Sequence, residues 1–90
     1  MSVKVRYFFV IKTKKGKEIK FNLSMYDDSM FNLLDGCKTA ISVYGDSISA
    51  YEIRAEASVN GKMTLLDATK YSVAEEEKLL TELDAIMDEN

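Results

Sequence analysis

Between Val3 and Ile11 every odd-numbered residue is apolar (Val3, Val5, Tyr7, Phe9, Ile11), a period of two that commits the segment to a β-strand with one buried face. Ile19, Phe21 and Leu23 repeat the pattern against Lys20, Asn22 and Ser24, giving a second strand. The connection between them decides the register. A loop of Lys14, Lys15 and Gly16 puts glycine where positive φ is needed and brings Ile11 opposite Ile19, Phe9 opposite Phe21 and Tyr7 opposite Leu23. A loop one residue longer would set Ile19 beside Val10 and turn Phe9 and Ile11 to the opposite face. Only the shorter loop satisfies both constraints.

Farther along, Met30, Leu34, Cys37, Ile41 and Tyr44 recur at helical spacing, which predicts a helix over residues 28–44. Asp27 or Asp28 can cap its start, and Gly45 suits the position just past its end. Asn60–Gly61, flanked by alternating residues, marks a second hairpin. A two-residue turn there pairs Val59 with Lys62, Ala57 with Thr64, Ala55 with Leu66 and Ile53 with Ala68, and it sets Arg54 opposite Asp67. Ser72-Val-Ala-Glu75 reads as a capping box that opens a last helix over residues 73–88, with Leu79, Leu80, Leu83, Ile86 and Met87 on its buried stripe. The order is ββαββα. The expected fold is α+β: one four-stranded antiparallel sheet with both helices packed on one face, and residues 1–90 forming a single domain.

No stretch approaches the roughly 20 apolar residues of a membrane span, and the opening MSVKVRYFFVIK is broken by Lys4 and Arg6 in a way a secretory leader is not. Cys37 is the only cysteine, so an internal disulfide is excluded and a reducing cytoplasm is the expected location. The net charge of −3 hides a division. Residues 1–20 hold seven Lys/Arg against Glu18 alone, whereas residues 21–90 hold five against fourteen Asp/Glu, many of them within residues 75–89. The molecule is expected to be dipolar.

The chain has no histidine, which removes Ser–His and Cys–His nucleophiles, histidine metal sites and the commonest general base at neutral pH. Tyr44-Gly-Asp-Ser-Ile48 superficially matches a serine-hydrolase signature, but no histidine is present to take the serine proton, and helix-stop and turn residues account for it. Cys37 sits on the apolar stripe of the first helix and reads as a small core residue. Asp84, Asp88 and Glu89 lack calcium-loop spacing, and the glycines occur singly, with no phosphate loop. Neither catalysis, a cofactor nor a metal is expected.

That leaves the outer face of the sheet. If both helices cover the opposite face, Phe8, Val10, Met63 and Leu65 lie uncovered, with Lys4, Arg6 and Lys20 around them. This set is the expected docking surface for a protein partner, most simply a second copy in a homodimer; the acidic last helix is another candidate surface. A second reading uses the basic hairpin, Lys14, Lys15 and Lys17, to hold a nucleic-acid backbone, with a base stacked on Phe8.

Overall fold

In the computed structural model, which describes residues 4–23 and 33–88, the chain runs β1 (Val5–Thr13), β2 (Glu18–Asn22), α1 (Leu33–Tyr44), β3 (Ile48–Val59), β4 (Lys62–Ser72) and α2 (Glu76–Asp88). The strands form one antiparallel sheet in the order β2-β1-β3-β4. Both helices pack on one face of it. Cys37 and Ile41 of α1 and Leu79, Leu83 and Ile86 of α2 share a single core with Phe9, Ile11, Tyr51, Ile53 and Tyr71 of the strands.

The first hairpin has the register that its alternation requires. Ile11 pairs with Ile19 and Phe9 with Phe21, Leu23 N–H donates to the Tyr7 carbonyl, and Gly16 takes φ +84° in the turn. Phe9 is fully buried, stacked on Phe21 at 5.8 Å and tilted against Tyr51 at 6.0 Å. Phe21 and Leu34 are half-buried at the margin of the core. The helix expected over residues 28–44 is seen from Leu33 to Tyr44; its expected start, with Met30 and the aspartate cap, lies outside the described residues. The capping box is present: Ser72 N–H donates to Glu75 Oε1 at 2.9 Å, and one 3-10 turn (Val73–Glu75) leads into α2.

The second hairpin departs from its expected register. Near the Asn60–Gly61 turn, Val59 pairs with Lys62 and Ala57 with Thr64 as expected, but beyond Glu56–Leu65 the register shifts by one. Ala55 faces Asp67, not Leu66; Ile53 faces Thr69; Arg54 faces Ala68, so the expected Arg54–Asp67 pair does not form. Leu66 is the extra residue of a β-bulge and stays about half exposed. The reason lies farther along β4, at Lys70 and Tyr71. Without the bulge, Lys70 would oppose Tyr51 on the core side. With it, Tyr71 takes that place and is buried, while Lys70 moves to the outer face opposite Glu52.

Deleting Leu66 should therefore remove the bulge and leave every pair on either side of it intact. The expected outcome is a folded protein in which cross-strand NOEs still join Ala55 to Asp67 and Tyr51 to Tyr71. Collapse of the fold on this deletion would show that the bulge is needed for more than register.

Candidate functional site

Strand alternation sends Arg6, Phe8, Val10 and Lys12 of β1, Glu18 and Lys20 of β2, Glu52, Arg54 and Glu56 of β3, and Met63, Leu65 and Lys70 of β4 to the face opposite the helices. No described helix covers this face. Charge seals its centre. Glu52 lies opposite Val10 on the adjacent strand and is only 3% exposed. Its carboxylate takes Lys12 Nζ at 2.9 Å and Arg54 Nε on its other oxygen. Arg54 reaches on to Glu18 Oε2 at 2.9 Å, and Lys12 sits 3.9 Å from the same oxygen. Lys20 bonds Glu56 at 2.9 Å while its ammonium rests 4.1 Å from the centre of the Phe8 ring.

Burial by itself would raise the Glu52 carboxyl, but the hydrogen bonds from Arg54 and Lys12 outweigh it and hold the group below the ordinary carboxylate range. The buried charge is compensated on both oxygens, the condition under which such a group is tolerated.

This arrangement divides the apolar patch expected from the sequence. Val10 is fully buried despite its outward direction, and Phe8 is half-buried beneath Lys20. Met63 and Leu65, 49% and 55% exposed, remain open on β4. A shallow groove of about 550 Å³ separates them and Lys70 from the Glu52–Arg54–Glu56 row. Among the described residues, Lys4, Arg6 and Lys70 are exposed and enter no ion pair. The described strands thus show five cations on this face (Arg6, Lys12, Lys20, Arg54, Lys70) against three carboxylates, all three already paired. The face is net positive on an acidic chain.

The hairpin lysines stand apart from this face. Lys14, Lys15 and Lys17 are exposed and border a separate groove with Tyr44 and Asp46, where Lys14 N–H donates to the Ser47 carbonyl at 2.8 Å. On the helix side, Glu77, Glu82 and Asp84 of α2 are exposed, and Glu76 accepts the buried Tyr51 hydroxyl at 3.1 Å. The Cys37 thiol is fully buried, and burial pushes it up to about 11, far from a reactive thiolate at neutral pH. Among the described residues no group of three or more acidic or sulfur ligands is placed to hold a metal, and no helix is long and apolar enough to cross a membrane.

Sequence reasoning missed Glu52 and its partners as the centre of the face. The signal was present in Glu52, Arg54 and Glu56 at alternate positions. What it lacked was the knowledge that β3 lies beside β1, a contact that no local pattern encodes. Compared with known proteins, the chain matches no family, no curated protein and no solved structure.

Glu52→Gln should cost about 3 kcal/mol, near the low end for stripping one partner from a buried ion pair because Lys12 stays a third exposed. The folded carboxyl titrates below its unfolded value of 4.5, so its stabilisation is present above that pH and lost as pH falls through the folded value. Denaturant titrations from pH 7 to pH 3 should show wild type weakening below about pH 4.5, with that component missing from the variant.

Proposed function

We propose that this protein is a small non-enzymatic interaction module whose sheet face opposite the helices docks a protein partner. The observation that carries the reading is the juxtaposition on β4 and β1 of open apolar side chains, Met63 and Leu65, with Lys70, Lys4 and Arg6, cations that no described carboxylate pairs. An apolar centre bordered by charge is the composition of a protein interface. Apposing two copies of this face would bring two net-positive surfaces together, so the charge favours a different, acidic chain over a second copy docked face to face. A regulatory or inhibitory adaptor in a reducing cytoplasm suits a lone buried cysteine.

The alternative is nucleic acid on the basic hairpin. Its support is the cluster Lys14, Lys15 and Lys17, which no described carboxylate neutralises. Against it, the aromatic expected to stack a base, Phe8, already carries Lys20 over its ring. The acidic α2 adds repulsion of a polyanion, confined by screening to roughly 8 Å at physiological salt.

Titration with single- and double-stranded oligonucleotides separates the two readings. Protein docking predicts binding no tighter than the nonspecific range of about 10⁻⁴ to 10⁻⁶ M. In parallel, a photo-crosslinking residue at Leu65 should yield discrete protein adducts in the producing cell, reduced by Lys70→Glu, while the same residue at Thr81 on α2 yields none of them. Submicromolar oligonucleotide binding abolished by Lys14→Glu/Lys15→Glu would replace this reading with the alternative.

A further inference from the structure

The two edges of the sheet differ. At one, β2 is five residues long, and its charged residues Glu18 and Lys20 are both ion-paired. At the other, β4 is eleven residues long, spanning about 36 Å, and no described element pairs with its far side. Natural sheets blunt such an edge by shortening, charging, bulging or covering it. Here the bulge at Leu66 and three charged residues, Lys62, Asp67 and Lys70, interrupt it.

The hairpin determines which backbone groups are free. A two-residue turn closes on a hydrogen-bonded pair, Val59 with Lys62, so Thr64 and, past the bulge, Asp67, Thr69 and Tyr71 direct their N–H and C=O toward β3. Met63, Leu65, Ala68 and Lys70 direct theirs to the open edge, and these are also the residues whose side chains lie on the outer face. The edge therefore offers main-chain groups that no described strand pairs, beside two exposed apolar side chains and an ammonium that no described carboxylate neutralises.

We propose that β4 accepts an extended segment of an acidic partner protein as a fifth strand. The inference rests on outer-face docking and names how that face is engaged. The segment presents apolar side chains to Met63 and Leu65 and a carboxylate to Lys70 on the outer face, where the net positive charge draws it in. Two copies joined edge to edge would instead set the acidic α2 of one beside that of the other and align two positive outer faces. Charge disfavours that pairing on both sides of the sheet. Main-chain hydrogen bonds supply affinity and the alternate side chains supply selectivity, as in strand addition generally.

The test uses the full chain and three blocked octapeptides. The first is Glu-Thr-Glu-Thr-Val-Thr-Val-Thr, whose odd residues share one face and, antiparallel to β4, set Glu toward Lys70 and Val toward Leu65 and Met63. The others are the same peptide with Lys in place of each Glu, and the Glu peptide with its odd-position amides N-methylated. In ¹⁵N-resolved spectra the Glu peptide should shift the amides of Met63, Leu65, Ala68 and Lys70 and slow their exchange at least tenfold. The Lys peptide should bind at least tenfold more weakly, and N-methylation should abolish binding. Lys70→Glu, an exposed substitution that leaves the core untouched, should reverse the preference toward the Lys peptide. Equal binding of the N-methylated peptide would overturn strand addition while leaving outer-face docking in place. Shifts confined to Lys14, Lys15 and Lys17 would overturn both.

Discussion

The structure depends on one buried carboxylate. Glu52 stands in the middle strand pair, opposite Val10, with Lys12 and Arg54 on its two oxygens. Because it is charged, it cannot face the helices; because it is nearly inaccessible, it cannot stand without partners. Those two demands fix the polarity of the sheet. The odd residues of β1 and β3 go to the helices and the even ones carry a charge ladder. The pairing of β1 with β3, which joins the two hairpins, is also what brings Lys12 and Glu52 together.

The same ladder determines what the outer face can do. An uncovered sheet carrying Phe8 and Val10 would be an aggregation hazard; here Lys20 lies over the Phe8 ring, and Val10, between Lys20 and Glu52 on the neighbouring strands, is fully buried. Cross-strand ion pairs at a surface contribute little each, but a connected set around a buried member also excludes water and fixes rotamers. The apolar surface that remains is displaced to β4, next to the edge of the sheet, where no described strand pairs with the main chain. Interaction potential has in effect been moved from the centre of the face to its rim.

Much of this could be read in the sequence because it is local. The first hairpin followed from alternation plus one glycine, and α2 from its capping box and leucine stripe. The second hairpin was legible only as far as Leu65. Counting from Asn60–Gly61 assumes a regular ladder, and the bulge that buries Tyr71 and expels Leu66 depends on whether tyrosine or lysine opposes Tyr51. That competition is decided by the packed core and not by any neighbouring residue. The site was half legible for a related reason. Parity identified the outer residues of β1, β2 and the start of β4 but placed Lys70 on the wrong face, and which of them are covered depends on the β1–β3 contact, which spans about forty residues of chain. Val10 and Phe8 therefore looked open when the fold closes over them.

Among the described residues, this sheet has one face packed by helices and one face sealed by charge, with its apolar opening at Met63 and Leu65. A soluble paramagnetic co-solute measures this directly through the relaxation of methyl protons. Strong enhancement is expected at the Met63 and Leu65 methyls, little at Val10, and little at Leu79 and Leu83 on the buried side of α2. Protection of Met63 and Leu65 equal to that of Leu79 would mean that the outer face is covered in solution, and it would contradict the account.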